Sequence, residues 1–168
     1  MNLDLKDKRV LVTGGNSGLG AAIVKAFAAE GARVAINYVA NPAQTEALKA
    51  QITSDSNAAL GLEADISDAQ AVGRMFDAVD DAWGGIDILV NNAGIDGRRA
   101  LGWEADPDAW GRVIDINLKG AFLCSREALK RMTVQRSGVV LNITSVHEVI
   151  AWSGYSAYTA SKAGSSMT

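Results

Sequence analysis

The chain of 168 residues has one cysteine, Cys124, so it closes no disulfide on itself. That usage fits a reducing compartment. A surplus of basic charge is missing too. Lys and Arg number 16 against 19 Asp and Glu, a formal net charge of −3, which leaves no electrostatic footprint for nucleic acid. No stretch approaches the roughly 20 apolar residues of a membrane span. The start, MNLDLKDKRVLVTGG, carries Asp4, Lys6, Asp7, Lys8 and Arg9 and lacks the apolar run of a signal peptide. Internal repeats, low-complexity tracts and linkers are absent. These absences point to a cytoplasmic domain with a real core. Any anionic ligand must then be held by local backbone donors, not by a basic surface.

What is present is an alternation of short apolar runs with longer amphipathic ones. RVLVTG, residues 9–14, is β-branched, ends in glycine and predicts a buried strand. LGAAIVKAFAAEG follows as a helix closed by Gly31. ARVAIN is the second strand, and Asn41-Pro42 opens the next helix. AALGLEAD predicts a third, weaker strand. Ser67-Asp68 caps a helix that runs to about Trp83 and stops at Gly84-Gly85. IDILVNNAG is strand four. One helical region runs from about Asp106 to Arg136, and Ser137-Gly138 leads into VVLNITS, strand five. A last helix starts near Tyr158. Apolar strands alternating with helices predict a single α/β domain, a parallel sheet doubly wound by right-handed crossovers.

The first strand runs into TGGNSGLG, residues 13–20. Its glycines Gly14, Gly18 and Gly20 follow G-x-x-x-G-x-G. That is neither the G-x-G-x-x-G fingerprint nor a P-loop, since no Lys-Ser/Thr pair follows. The physical logic is shared with both. Gly14 permits a tight turn, Gly18 lets the backbone approach a phosphate, and Gly20 lets the helix sit close to the sheet. The helix N-terminus then aims N–H groups and a positive dipole at a pyrophosphate. Thr13, Asn16, Ser17 and Leu19 are candidate contacts in the same loop. A glycine-rich turn that binds nothing is the plain alternative. After the second strand, INYVAN (36–41) holds neither acid nor base. Nothing there repels a 2′-phosphate, and Asn37, Tyr38 and Asn41 can donate hydrogen bonds. This favours NADP, with NAD tolerated.

Polar residues gather at the ends of later elements, where open α/β sheets bind ligands. Strand four ends in Asn91-Asn92-Ala93-Gly94 and strand five in Thr144-Ser145. Tyr158 and Lys162 are four apart, on one helix face. Tyrosine, with a reference pKa of about 10, is a poor base at neutral pH. An ammonium nearby favours phenolate and makes the pair a usable acid/base. Alone, a Y-x-x-x-K spacing is equally an amphipathic helix with a solvated lysine.

Taken together, these residues resemble the short-chain dehydrogenase/reductase family over nearly the whole chain. The match rests on Thr13-Gly14-x-x-x-Gly18-x-Gly20, Asp65, Asn91-Asn92-Ala93-Gly94, Asn117, Ser145 and Tyr158-x-x-x-Lys162. The resemblance implies a Rossmann-type fold, strand order 3-2-1-4-5, that transfers hydride between NAD(P) and an alcohol or carbonyl. It implies Tyr158 as general acid/base, Ser145 orienting the substrate oxygen, and Lys162 acting on Tyr158 and on ribose. Asn117 would hold a water, Asp65 would meet the adenine, and Asn92, Ala93 and Gly94 would line the cofactor cleft. No metal is expected. VIDINLKGAFLCSREALK and ITSVHEVIAW look like the bacterial glucose 1-dehydrogenases of the family, with 3-oxoacyl-carrier-protein reductases next. His147 and Glu148 either meet a sugar's hydroxyls or pack and cap their loop. Cys124 reads as a small buried residue.

By the same resemblance the chain holds about two thirds of a full domain, C-terminally truncated across residues 1–168, with strand five left as an apolar edge. The full-length form would be a homodimer or homotetramer. Two classes of function follow. One is an oxidoreductase acting on a sugar or another small alcohol or carbonyl. The other is a truncated nucleotide-binding domain that catalyses nothing.

Overall fold

The apolar runs become five short strands, and the central ones, β1, β2 and β4, bury both of their faces. The computed structural model describes residues 3–53 and 58–165. The strands are β1 (Arg9–Val12), β2 (Arg33–Tyr38), β3 (Ala59–Glu63), β4 (Ile88–Asn91) and β5 (Val139–Asn142). The helices are α1 (Gly18–Ala29), α2 (Pro42–Ile52), α3 (Ala69–Trp83), α4 (Pro107–Ile114), α5 (Ala121–Gln135) and α6 (Ser156–Ser165). All strand pairs are parallel, as the alternation of strands and helices predicts, and their order is β3-β2-β1-β4-β5, as the family resemblance implies.

Alternate strand residues feed two cores. Val10, Val12, Val34, Ile36 and Val90 pack with Val24 and Ala28 of α1 and Leu48 of α2. Leu11, Ala35 and Leu89 face the other way, onto Val72, Phe76 and Val79 of α3 and Cys124, Ala128 and Met132 of α5. A sheet sandwiched in this way puts its strand ends, not its faces, at the disposal of ligands. At the N-terminal ends Arg9 and Asp87 lock β1 to the approach of β4 through paired bonds of 2.8 and 2.7 Å.

The caps follow the local chemistry. Pro42 and Pro107 sit in first turns. Asp68 accepts from the Gln70 amide at 2.9 Å, and Gly31 and Gly84 take positive φ past their helix ends. β3 and β4 end at Glu63 and Asn91, short of the AALGLEAD and IDILVNNAG runs, and three further boundaries differ from the sequence reading. The helix expected over 106–136 is interrupted by a π-helical stretch, Asp115–Gly120, which joins α4 to α5 and holds Asn117. Strand five ends at Asn142, and Ser145 instead starts a 3-10 turn, Val146–Glu148. Its hydroxyl accepts from the His147 amide at 3.3 Å, and that capping bond draws the chain out of the sheet. The last helix begins at Ser156, not Tyr158; Ser166, Met167 and Thr168 of its expected continuation lie outside the described residues. β5 stands at the sheet edge with Val139 and Leu141 about half exposed. Among the described residues no helix is long and apolar enough to cross a membrane.

Phe76 is the largest fully buried side chain, with the Arg131 guanidinium 5.2 Å from its ring centroid. Phe76→Ala is expected to lower the unfolding free energy by about 3–5 kcal/mol, read as a lower urea midpoint at unchanged m-value.

Candidate active site

The glycine loop divides into an inward and an outward half. Thr13, Gly15, Asn16 and Gly20 are buried, while Ser17, Gly18 and Leu19 form an exposed crest. Thr13 Oγ1 accepts from the amides of Asn92 and Ala93, both at 3.0 Å, and so ties the end of β1 to the end of β4. Asn92 returns the tie, its Nδ2 donating to the Thr13 and Gly14 carbonyls at 2.9 and 3.1 Å. Asn16 Nδ2 donates to Ala40 O at 2.8 Å and Thr45 Oγ1 at 3.2 Å, pinning the loop to the start of α2.

Gly20 has to be glycine. A β-carbon there would collide with the Gly14 carbonyl oxygen and come 2.6 Å from Asn92 Nδ2. At Gly18, φ is +50° and a β-carbon would meet nothing within 4 Å. The open side of the turn is therefore where a ligand has room. Ser17 flanks α1 without a side-chain cap bond, leaving first-turn N–H groups for an anion.

Asn37 corrects one sequence expectation. It is 1% exposed, and its Nδ2 is spent on the carbonyls of Leu62 at 3.3 Å and Ala64 at 2.9 Å. Its Oδ1 accepts from the Gly14 amide at 3.2 Å. Asn37 braces the loop from below and donates nothing to a 2′-phosphate, because β2 is covered on both faces from Val34 to Asn37. Tyr38 is half-buried at the end of β2, and Asn41 is exposed.

Asp65 follows β3. Its Oδ1 accepts from the amide and hydroxyl of Ser67 at 2.9 and 2.7 Å, and its Oδ2 from Arg112 at 2.9 Å. Partial burial pushes its pKa up, but the Ser67 bonds and the Arg112 guanidinium outweigh that and hold it at about 2. Arg112 on α4 was not foreseen; its partner lies 47 positions away, beyond any local signal.

The Tyr–Lys pair sits on α6. Lys162 is buried, donates to Ile143 O at 2.7 Å, and lies 5.7 Å from the Tyr158 ring centroid. Burial lowers its pKa. Asn117 stands beside it: a β-carbon at Gly94 would lie 3.2 Å from Asn117 Oδ1 and 3.7 Å from Lys162 Nζ. The Asn117 carboxamide exchanges bonds with Ile95, accepting from its amide at 2.8 Å and donating to its carbonyl at 2.7 Å. It also donates to Ser161 Oγ at 3.1 Å. Gly14 in turn lies against Ala93. Contacts therefore run from the glycine loop through Asn92, Ala93, Gly94 and Asn117 to Lys162 and Tyr158.

Ser145 accepts from a backbone amide and keeps its own hydrogen to donate. His147 is 8% exposed, its ring 5.4 Å from that of Tyr158, 4.6 Å from Trp152 and 5.8 Å from Tyr155. Its ring is packed among aromatics beside Tyr158. A cavity of ≈ 240 Å³ opens at Tyr158, with Asp96, Arg98, Arg99, Glu104, Trp110 and Tyr155 in its lining. Cys124 is fully buried, and that burial, with the charge of Glu127, pushes its thiol up to about 12; it is no nucleophile.

A family model described as short chain dehydrogenase matches residues 8–168. The chain is 40% identical over 170 residues to 3beta-hydroxysteroid dehydrogenase 1 of Eggerthella lenta, covering 98% of this chain and 63% of that one. It is 38% identical over 154 residues to a 3-oxoacyl-[acyl-carrier-protein] reductase of Synechocystis, covering 92% and 62%. It is 35% identical over 168 residues to glucose 1-dehydrogenase 2 of Bacillus subtilis, covering 99% and 65%. The crystal structure of levodione reductase superimposes with a TM-score of 0.90 at 37% identity, covering 95% of this chain and 62% of that chain. The chain thus spans less than two thirds of the length of the relatives it matches.

The Asp65 clamp makes a pH prediction. Its pKa is depressed on folding, so its stabilisation is full above the ordinary 3.8 and disappears as pH falls towards about 2. A carboxyl NMR titration should place the Asp65 midpoint near 2, and Arg112→Gln should move it towards the ordinary value.

Proposed function

Because the chain belongs to the short-chain dehydrogenase family, we propose that it is the cofactor-binding and proton-transfer part of an NAD(P)-dependent oxidoreductase. The substrate is a small alcohol or carbonyl compound. The observation that carries this reading is the placement of Tyr158 and Lys162, 5.7 Å from ring centroid to Nζ, at the end of a contact chain that starts in the glycine loop.

The residues present fit a dinucleotide. The open side of Gly18 and the uncapped start of α1 suit a pyrophosphate. Asp65 would accept from the adenine, Tyr38 would border the ribose, and Lys162 would reach the second ribose. NADP is the favoured cofactor, because no carboxylate stands in residues 36–41 to repel a 2′-phosphate. When bound, the nicotinamide supplies or accepts the hydride.

The chain's own residues handle the proton. Tyr158 gives its phenolic proton to the oxygen of a carbonyl substrate, or takes the hydroxyl proton in the reverse direction. Ser145 donates a hydrogen bond to the same oxygen and aligns it. Lys162 places positive charge near the phenol and favours the form that accepts a proton. Asn117 keeps the Tyr–Lys helix and the loop after β4 at a set spacing.

For the substrate, the charged side chains and the aromatic faces of Trp110 and Tyr155 in the cavity suit a polyhydroxylated molecule. A sugar, as in a glucose 1-dehydrogenase, is favoured, with His147 and Ser145 among its contacts. A 3-oxoacyl thioester is the second reading, supported by the Synechocystis relative. The enzyme is cytoplasmic and forms a homodimer or homotetramer, for which Phe122 and Leu129, half-exposed on α5, offer an apolar face.

Turnover should be assayed with NAD and NADP against a panel of sugars, simple alcohols and β-ketoesters, for these 168 residues and for a form extended to the length of the relatives. Inactivity of both on the whole panel would sink the reading. Tyr158→Phe should cut turnover by at least roughly a hundredfold and leave cofactor binding within about twofold. Fluorescence titration should give a lower Kd for NADP than for NAD; a strong NAD preference refutes the cofactor assignment.

A further inference from the structure

Ser161 is fully buried in α6, and an alanine there would favour the helix by about 0.5 kcal/mol. What the serine adds is a hydroxyl with two partners. Its Oγ donates to the Tyr158 carbonyl at 2.7 Å, and accepts from Asn117 Nδ2 at 3.1 Å. Asn117 is itself 2% exposed and bound to both main-chain groups of Ile95. One turn on, Ser165 Oγ lies 3.2 Å from the Asn117 carbonyl and 2.8 Å from that of Ser161. On the far side Lys162 Nζ donates to Ile143 O at the end of β5. The turn that carries Tyr158 and Lys162 is thereby fixed from the π-helical stretch, from the loop after β4 and from β5.

We propose that Ser161 is a positioning residue for Tyr158: its hydroxyl couples the Tyr158 backbone to the Asn117 carboxamide and sets the phenol's place against the loop after β4. The inference rests on the acid/base role of Tyr158. It predicts an effect on the chemical step and none on cofactor affinity. Among the described residues, the Ser161 hydroxyl bonds to Asn117 and to the Tyr158 carbonyl and to neither the glycine loop nor the Asp65 cluster. Removing the hydroxyl leaves one Asn117 N–H without its partner in a dry setting, and the carboxamide can then turn.

The test compares Ser161→Ala and Ser161→Thr in the full chain and in the extended form. Ser161→Ala is expected to lower kcat about tenfold, the equivalent of one buried hydrogen bond, with cofactor Kd within about twofold. Ser161→Thr keeps the hydroxyl and should restore most of kcat. A second readout needs no turnover. With 13Cζ-labelled tyrosine, the Tyr158 resonance is assigned by its loss in Tyr158→Phe, and its titration is followed with pH. His147 and Lys162 lie beside the Tyr158 ring, and Asp96, Glu104, Asp106 and Tyr155 share its cavity; all are left unchanged in both Ser161 variants. The curve should move in Ser161→Ala and return in Ser161→Thr.

An unchanged kcat and an unchanged Tyr158 titration in folded Ser161→Ala overturn the proposal. Equal losses in Ala and Thr variants, accompanied by lower melting temperatures, overturn it in favour of a packing role. If neither form turns over, the functional reading fails, and the Tyr158 titration still decides whether Ser161 positions the phenol.

Discussion

One side chain holds the two halves of the cleft together. The Asn117 carboxamide accepts one hydrogen bond and donates two, and every partner is inside the protein. Each such bond is worth only about 1 kcal/mol net, but a buried amide left unpaired costs about 1–3 kcal/mol. The arrangement is therefore close to all-or-none. Without it, the loop after β4 and the Tyr–Lys helix have no polar contact that fixes their spacing through this residue. The proposed chemistry depends on that spacing more than on any property of the tyrosine alone.

The nucleotide end works on a different footing. Thr13, Asn16, Asn37 and Asn92 all point their polar groups inward and brace the loop. The groups that face outward are backbone donors and residues with little side-chain chemistry. For the proposed pyrophosphate, a net charge of −3 is no obstacle, because local and already oriented donors do not depend on the overall charge. The loop is held in shape by side chains turned away from its open side, the Thr13 hydroxyl and the carboxamides of Asn16, Asn37 and Asn92.

The sheet was legible because its signals are local. Short apolar runs, β-branched in all but the weaker AALGLEAD, marked the strands, and their alternation with helices pointed to a parallel sheet; the strand order came from the family resemblance. The glycine spacing and the Tyr–Lys spacing were legible for the same reason. Partners far apart in sequence were not. Asn37 read as an available donor because INYVAN closes a strand with amides and a tyrosine, yet β2 is covered on both faces there and Asn37 braces Gly14 instead. The bonds of Arg112 to Asp65 and of Asn117 to Ser161 span 47 and 44 positions, and no pattern announces them. The π-helical stretch was not foreseen: Asn117 and Gly120 weaken DINLKG as a helix, but nothing local distinguishes a π-turn from an α-helical one. Ser145 stands out in the sequence as a strand-end serine, but its place in a capping turn goes with one side-chain bond that no strand pattern announces.

The π-helical stretch has a consequence for how this chain can tolerate insertions and deletions. A π-turn accommodates one residue more than an α-helix of the same rise. Deleting a residue there would mend the hydrogen-bond ladder while rotating α5 by roughly 100° about its axis relative to α4. Leu123, Cys124, Ala128 and Met132, which now line the core, would leave their pocket. The extra residue is a phase-setting element. It lets α4 present Arg112 to Asp65 and α5 present its apolar face to the sheet, two orientations that an unbroken α-helix would not meet together.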